Sequence, residues 1–236
     1  MTQNWRVGLV TGLFAGLVPT IPPTQAAEVR PAVVELFTSQ GCSSCPPADQ
    51  LLAELAQRSD IIALGFHIDY WDRLGWKDPF STPEGTARQQ TYARLLGSGQ
   101  VYTPQLIVEG TREMVGSRRE EVLAALRGAR PQAVAPVRFA ADRRSVTIGP
   151  AAMPGAAGTV LLARFVKQRT THIGAGENAH RTAHDVDGVE ALETLGAWQG
   201  TEVTFSLDSP SANHGIAVFV QATDGRMLGA AVILSS

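Results

Sequence analysis

The chain has 236 residues, of which 44% are apolar, and its 20 basic and 22 acidic residues give a formal net charge of −2. This balance argues against a protein that binds nucleic acid or an anionic membrane surface. The length fits one large domain or two small ones.

Residues 1–27 have the features of a secretory signal peptide. Arg6 supplies a positive charge, residues 7–18 form an apolar run, and Gln25-Ala26-Ala27 form a small-residue cleavage region. Because the apolar run is shorter than the ~20 residues that span a membrane, it favours a cleaved signal over an uncleaved anchor. We therefore expect a periplasmic or secreted protein that leaves the membrane after cleavage, in a compartment where a disulfide persists.

The first half of the mature chain alternates between strand and helix patterns. Apolar patterning predicts strands at residues 33–37, 61–69, 105–108 and 113–115, and helices at residues 46–57, between Ser81 and Gly97, and between Ser117 and Gly128. Ser81 with Glu84, and Ser117 with Glu120, have the spacing of capping boxes. The order β-α-β-α-β-β-α predicts parallel pairing of the first two strands and a later antiparallel hairpin.

The pattern changes after residue 128. Residues 129–136 contain Pro and Ala and have the composition of a linker. Beyond them, strand patterns occur at residues 137–140, 145–148, 159–167, 201–207, 215–222 and 226–234. Asp224-Gly225 joins the last two as a hairpin turn. The second half is therefore predicted to be all-β, as a small antiparallel sandwich or barrel.

Cys42 and Cys45 are the only cysteines of the chain, and they stand between the first predicted strand and the first predicted helix. Pro46 and Pro47 fit the first turn of that helix. The spacing therefore puts Cys42 at a helix N-terminus, where the helix dipole favours a thiolate, with Cys45 within disulfide reach. Since a two-residue spacer closes too small a loop to stabilise the fold much, the pair indicates a dithiol–disulfide switch.

Metal binding is the main alternative for a Cys-x-x-Cys pair. A closed zinc site needs four ligands, and the chain has no second cysteine pair. His67 lies inside the second predicted strand, where a core residue is the simpler explanation. The histidines of the second half invite a metal hypothesis but have no cysteine beside them; they are His172, His180, His184 and His214. We expect surface loop histidines, no bound metal and no cofactor.

A second chemically rich segment follows the second predicted strand. Parallel strands joined by right-handed crossovers end at one edge of a sheet, so this segment and the cysteines are expected to share that edge. Its aromatic and charged residues resemble a docking surface for a peptide or an apolar substrate, and the candidates are Asp69, Tyr70, Trp71 and Trp76. The alternative is that the aromatic residues simply pack over the end of the sheet.

A Cys-x-x-Cys at a helix start, followed by Thr103-Pro104 at the start of the third strand, resembles the thioredoxin superfamily. In that superfamily the residue matching Pro104 follows a cis peptide bond and borders the dithiol. The resemblance therefore implies a cis-proline loop here, with the Thr103 backbone available to pair with an extended substrate. It also implies a thioredoxin-like α/β domain over residues 28–130, and the strand patterns of the second half predict the small β-sandwich-like domain over residues 131–236.

Longer segments are similar to a family of secreted thioredoxin-like proteins known only as a domain of unknown function. These segments are VELFTSQGCSSCPPADQLLAEL, GFHIDYWDRLGWKDPFSTPEGTARQQTYARLLG and VYTPQLIVEG, and the similarity covers roughly residues 30–128. It extends more weakly through Gly176-Glu177-Asn178 and the final hairpin. It implies a fold and an export route, and no substrate.

Thiol chemistry and the resemblance assign roles to three residues. Cys42, expected to be the more exposed thiol, attacks as a thiolate, and Cys45 resolves the mixed disulfide. Glu35 matches the buried carboxylate that thioredoxins use as a proton acceptor, if one residue is inserted before Cys42. A salt-bridged structural Glu35 is the alternative, since an unpaired charge inside an apolar strand is costly.

The function predicted from these residues is that of an exported thiol–disulfide oxidoreductase. Its partners would be a protein or small-molecule thiol or disulfide substrate and a redox partner protein, with no nucleic acid. A periplasmic copper-handling metallochaperone that uses both cysteines and a histidine is one alternative. A non-catalytic binding module with a structural disulfide is the other.

Overall fold

The computed structural model describes residues 1–2, 29–129 and 131–235. The predicted signal peptide, residues 1–27, therefore falls almost wholly outside the described residues. Within them, no helix combines the length and the apolar character that a membrane crossing requires.

Three α-helices, a short 3₁₀ helix and eleven strands make up the described part of the chain. The helices are α1 (Pro46–Leu55), α2 (Pro83–Leu95) and α3 (Arg119–Gly128), with the 3₁₀ helix at Asp72–Leu74. The strands before residue 130 are β1 (Ala32–Thr38), β2 (Ile61–His67), β3 (Gln105–Val108) and β4 (Arg112–Val115). Those after it are β5 (Val137–Phe139), β6 (Ser145–Ile148), β7 (Gly158–His172), β8 (Thr182–Trp198), β9 (Val203–Ser206), β10 (His214–Gln221) and β11 (Met227–Leu234).

Eight of the strands form one mixed sheet in the order β11-β10-β7-β8-β2-β1-β3-β4. β1 pairs with β2 in parallel and with β3 in antiparallel fashion, and β3 and β4 form a hairpin. These pairings confirm the predicted ones. Strands β5, β6 and β9 form a separate three-stranded antiparallel sheet. The protein is therefore a mixed α/β fold with a large eight-stranded sheet and a small antiparallel sheet.

Sequence patterning did not predict β8, a strand of 17 residues. The burial of its side chains follows no period of two, because β8 packs against different neighbours along its length. It pairs with β7 over most of its length and meets β2 through the single pair Gly65–Gly188. Through this one junction the strands of both halves form a continuous sheet.

The apolar core follows the two faces of that sheet. On one face, Val34 and Leu36 of β1 pack against α1 and α3. On the other face, a single cluster combines residues of both halves, such as Phe37 of β1, Phe165 of β7 and Phe219 of β10. A third cluster lies between the large sheet and the small one. The domain boundary predicted near residue 130 stays a prediction, and one apolar cluster extends across it.

In its described part, the segment predicted as a linker packs against the rest of the protein. Ala135 is buried, and its backbone N–H donates to the carbonyl of Leu228 over 2.9 Å. The backbone N–H of Ala152 donates to the carbonyl of Val134 over the same distance. These residues belong to the core beneath the small sheet, so the linker prediction is wrong for them.

Neither predicted capping box forms. Helix α2 begins after Thr82, whose hydroxyl accepts the N–H of Gly85 over 3.0 Å, while the hydroxyl of Ser81 donates to Asp72. Pro83 explains the difference, since proline is favoured as the first residue of a helix. Helix α3 begins after Arg118 and has no side-chain cap.

Two turns, one from each half of the chain, meet at a backbone contact. Gly110 lies in the β3–β4 turn with φ +69°, and Gly225 lies in the β10–β11 turn with φ +93°. A Cβ atom on Gly110 would overlap the carbonyl oxygen of Gly225. A Cβ atom on Gly225 would lie 2.7 Å from the carbonyl oxygen of Gly110. The contact therefore requires glycine on both sides.

We expect Gly110→Ala to lower the free energy of unfolding by about 3 kcal/mol, because the left-handed backbone and the backbone overlap both penalise a side chain. The matched control is Gly97→Ala, where φ is +73° and an added Cβ would meet nothing within 4 Å. The control should lose only about 1 kcal/mol. Urea unfolding of both variants measures the two losses, and equal losses would contradict the contact between the turns.

Candidate functional site

The two cysteines lie where β1 gives way to α1, and they form a disulfide with their Cα atoms 5.4 Å apart. Cys45 is the N-cap residue of α1, and its carbonyl accepts the N–H groups of Ala48 and Asp49. Cys42 lies in the preceding turn, so the prediction that it stands at the helix N-terminus is off by three residues. Pro46 begins the helix, as predicted.

Both cysteines are fully buried, with 0% of their surface exposed, whereas Ser43 and Ser44 between them are exposed. The prediction that Cys42 is the more exposed thiol is therefore wrong for this conformation. A segment from the second half of the chain is hydrogen-bonded to the backbone around Cys42. We call this segment, residues 173–181 between β7 and β8, the covering loop.

The covering loop is attached to the cysteine segment by three hydrogen bonds. The side-chain Nδ2 of Asn178 donates to the carbonyls of Gln40 and Cys42, each over 2.9 Å. The carboxylate of Glu177 accepts the backbone N–H of Ser43 over 3.1 Å. Hydrogen bonds from Ser43 lower the pKa of the Glu177 carboxyl, which stays ionised at neutral pH. The family resemblance extended to both loop residues, but sequence reasoning did not assign them to the site, because nothing local to them indicates a contact with the turn between β1 and α1.

The indole N–H groups of the two predicted tryptophans are hydrogen-bonded within the protein, whereas the buried hydroxyl of Tyr70 has no hydrogen-bond partner in the described part of the chain. The indole N–H of Trp76 donates to Oε1 of Gln40 over 3.1 Å, and that of Trp71 donates to the hydroxyl of Thr103 over 2.8 Å. Tyr70 and Trp71 also pack against the apolar cluster that both halves share. Their packing matches the alternative in which these residues cover the end of the sheet.

Asp69 is bound to the start of α2 rather than to the disulfide. The hydroxyl of Thr86 donates to the carboxylate of Asp69 over 2.6 Å and accepts its backbone N–H over 3.1 Å. The structure therefore separates Asp69 from the residues that surround the cysteines.

The Thr103–Pro104 peptide bond is cis, and this loop borders the disulfide. The hydroxyl of Ser44 lies 3.5 Å from the carbonyl oxygen of Thr103 and 3.4 Å from Sγ of Cys42. Ser44 therefore connects Sγ of Cys42 to the loop that precedes β3.

Glu35 belongs to the other face of the sheet. Because side chains alternate along a strand, Glu35 points away from α1, towards the cluster that contains Phe37. Arg88 of α2 pairs with both of its carboxylate oxygens, and the hydroxyl of Tyr92 donates to one of them. No hydrogen bond in the described part of the chain joins Glu35 to a cysteine. The geometry matches the alternative of a salt-bridged structural Glu35. It shows no contact through which Glu35 would accept a proton from a cysteine.

A different carboxyl lies in the helix that carries the disulfide. Asp49 stands one turn after Cys45, and its Oδ1 accepts the hydroxyl proton of Thr38 over 2.6 Å. Burial raises the pKa of Asp49 to about 7, although the hydrogen bond from Thr38 opposes the shift. Asp49 therefore titrates near neutral pH. An acidic residue in the first turn after a Cys-x-x-Cys was the only sequence signal for it.

Next to Asp49 lies a buried group of three charged side chains. Nδ1 of His67 is 2.7 Å from Oδ2 of Asp78, and its Nε2 is 3.9 Å from Oδ1 of Asp185. Burial lowers the pKa of His67, but the charge of Asp78 and its hydrogen bond outweigh burial and raise this pKa to about 9. His67 is buried in β2, as predicted, and it is an imidazolium at neutral pH.

Gln40 connects this charged group to the covering loop. Its backbone N–H donates to Asp78 over 2.7 Å, and its side-chain Nε2 donates to Asp185 over 2.5 Å. Its own carbonyl accepts from Asn178 and its Oε1 from Trp76. The turn before Cys42 is therefore held by hydrogen bonds from β8, from the covering loop and from the loop after β2.

The four histidines of the second half do not converge. His172, His180 and His184 are exposed, and His214 lies 3.5 Å from Glu190 at the start of β10. Over the described ranges, no group of three or more His, Cys, Asp or Glu side chains is arranged to hold a metal ion. The copper-handling alternative therefore has no preformed ligand set in this part of the chain.

The family model for the domain of unknown function DUF1223 matches residues 33–221. The chain belongs to the DUF1223 family. The match extends over both halves and includes the cysteines, the covering loop and Asp185. It confirms the resemblance to a family of unknown function, and the description of DUF1223 assigns no activity or substrate.

Two solved structures resemble this DUF1223 protein. Protein AGR_C_4864 from Agrobacterium tumefaciens is 32% identical in sequence, with a TM-score of 0.72 over 89% of this chain and 96% of that chain. HBP35 of Porphyromonas gingivalis is 12% identical, with a TM-score of 0.55 over 89% of this chain and 76% of that chain, and shows a likeness of fold alone. None of the curated proteins matches the chain.

We expect the stability of the protein to fall as the pH rises from about 6.5 to about 9. A His67 whose folded pKa is raised from 6.5 to about 9 stabilises the fold fully below pH 6.5, and this contribution is lost as the pH passes the folded pKa. The loss is on the order of 3 kcal/mol.

The matched variant is His67→Gln, which keeps a hydrogen-bond donor for Asp78 but cannot titrate. Its free energy of unfolding, measured by urea denaturation at several pH values, should fall less over this window than that of the unsubstituted protein. Parallel curves for the two proteins would contradict a charged His67.

Proposed function

We propose that this DUF1223 protein is an exported thiol–disulfide oxidoreductase that uses the Cys42–Cys45 pair on a protein or small-molecule substrate. The observation that carries the proposal is the disulfide itself, which closes a two-residue loop at the start of α1. Such a bond stabilises a fold little, because it restricts little of the unfolded chain. Reversible chemistry is the better reason for its presence.

The surroundings of the disulfide support a thioredoxin-like domain over residues 28–130, which is part of the proposal. The neighbouring strands follow the order β2-β1-β3-β4, with α1 and α3 on one face and α2 on the other. The Thr103–Pro104 loop lies beside Ser44. We also propose export through residues 1–27 and a sandwich-like domain for residues 131–236.

The exchange needs two thiols and no cofactor. A substrate thiolate attacks Sγ of Cys42, the S–S bond breaks, and Cys45 leaves as a thiolate. A second substrate thiol then displaces Cys42 from the mixed disulfide. The substrate loses two electrons and two protons and becomes a disulfide, and the protein gains the electrons as a dithiol. The reverse sequence reduces a substrate disulfide, and a redox partner protein restores the starting state.

Access to the sulfurs requires that the covering loop move, because neither cysteine has exposed surface. The three hydrogen bonds from Asn178 and Glu177 hold it in place. At about 1 kcal/mol each, they set an opening free energy of about 3 kcal/mol, or an open fraction on the order of 1%. Such a fraction permits slow exchange with small thiols.

The complete burial of the disulfide favours a second candidate, a non-catalytic binding module with a structural disulfide. The two candidates differ in what glutathione does to the bond. An oxidoreductase comes to equilibrium with glutathione while folded, whereas a structural disulfide opens only when the protein unfolds.

We expect mature protein, residues 28–236, to equilibrate with glutathione buffers in the folded state and to accelerate the reduction of insulin by dithiothreitol. Cys42→Ser should reduce the insulin rate to that without protein, because the attacking sulfur is lost. Thr147→Ser in the small sheet is the control and should behave as the unsubstituted protein. No exchange in the folded state, together with a loss of stability in Cys42→Ser, would favour the binding module.

We expect Asn178→Ala to speed reduction of the disulfide by dithiothreitol about thirtyfold, because two hydrogen bonds of about 1 kcal/mol each that hold the covering loop are lost. Glu177→Gln should speed it less, since one charge-assisted bond is weakened. Glu193→Gln, on the exposed face of β8, is the matched control and should leave the rate unchanged. Thiol labelling over time measures the rates, and unchanged rates in both loop variants would show that the covering loop does not control access.

A further inference from the structure

A cavity of about 320 Å³ lies beside the helix that carries the disulfide, between α1 and the start of β8. This volume is at the lower end of the range for small-molecule sites. Ser39 and Gln40, just before the cysteines, and Pro46, just after them, form part of its wall. A molecule bound there would lie next to the Cys-x-x-Cys segment and against the base of the covering loop.

One buried side chain in the wall has an unused hydrogen-bond acceptor. Asn178 is 2% exposed, and its Oδ1 is buried with no hydrogen-bond partner in the described part of the chain. The orientation of the amide is defined, because its Nδ2 donates to two backbone carbonyls. A buried acceptor without a donor costs free energy. A bound molecule that donates a hydrogen bond to this oxygen would remove that cost.

Two carboxyls also line the cavity. Asp49 binds Thr38 through Oδ1, and Asp185 binds Gln40 through Oδ2. Burial raises the pKa of both carboxyls, to about 7 for Asp49. Burial disfavours the ionised form of these carboxyls, so a positive charge placed beside them would stabilise that form.

Both acidic and basic side chains surround the cavity, and their positions define where a positively charged ligand would bind. Nε2 of His67 lies 3.9 Å from Oδ1 of Asp185, so the positive charge of His67 compensates part of the negative charge of that carboxylate. Arg181 and His184 contribute to the wall but are exposed. Asn178 and Asp185 therefore belong to the buried part of the wall and Asp49 is half-buried, while the basic side chains belong to its exposed part.

We propose that this cavity binds a small primary amine. Its ammonium group has three N–H donors, which match in number the acceptors offered by Asn178, Asp49 and Asp185. The short aliphatic body of the amine would pack against Ala53 and Ile173, the apolar part of the wall. The site is separate from the sulfurs, since neither cysteine lines the cavity.

Occupancy of the cavity would also act on the covering loop. Asn178 would hold the ligand through Oδ1 while its Nδ2 holds the carbonyls of Gln40 and Cys42. A bound amine would therefore fix the loop in its closed position and slow the opening that exposes the disulfide. This second effect rests on the proposed function, whereas binding of the amine does not.

The test uses the oxidised mature protein and n-butylamine as the probe, with n-butanol and butyrate as uncharged and anionic probes of matched length. Isothermal titration calorimetry should show binding of n-butylamine and none of the other two. Asp49→Asn should weaken binding about tenfold or more, because a hydrogen bond to a charged group is lost. Asp185→Asn provides a second variant if Asp49→Asn fails to fold.

The matched control is Asp187→Asn. Burial also raises the pKa of Asp187 to about 7, but this carboxyl lines a different cavity. Its affinity for n-butylamine should equal that of the unsubstituted protein. No binding of n-butylamine, equal binding of n-butanol, or equal affinities in Asp49→Asn and Asp187→Asn would overturn the proposal. Because the disulfide stays closed throughout, the result is independent of any exchange activity.

Discussion

The hydrogen bonds from the Asn178 amide to the carbonyls of Gln40 and Cys42 are the interaction on which the rest of the site depends. They join the tip of the β7–β8 hairpin to the turn that carries the disulfide, and they do so with a side chain that is itself buried. With them, the disulfide is enclosed, and the cavity beside α1 acquires its second wall.

The charged group beneath this contact explains how the enclosed site tolerates several carboxyls. One imidazolium, His67, lies between Asp78 and Asp185 and also acts on Asp49 through its charge. One buried cation cannot compensate three carboxylates equally. Asp78, which contacts the ring, has a lowered pKa, whereas burial raises that of the other two. The arrangement therefore leaves a carboxyl that titrates near neutral pH within one helical turn of Cys45.

The large sheet places these groups together because it is continuous. The pair Gly65–Gly188 brings β8 next to β2, and the turns at Gly110 and Gly225 meet at the other side of the shared apolar cluster. At the two turns, the close approach of the backbones leaves no room for side chains. At the Gly65–Gly188 pair, added Cβ atoms would instead meet the side chains of Leu52 and Phe80. The covering loop is in turn held by long strands on either side, β7 and β8. The second half of the chain is thus part of the candidate site.

The sequence by itself determined the local elements and the chemistry they carry. The parallel pairing of β1 and β2, the β3–β4 hairpin, the start of α1 at Pro46 and the family all follow from short-range patterns. Tertiary structure alone decided the burial of Cys42, the charge of His67 and the pairing of Glu35 with Arg88. Each of these depends on residues distant in the chain, which apolar periodicity and capping patterns do not register. β8 was missed for a related reason, because the irregular burial along it conceals the alternation that marks a strand.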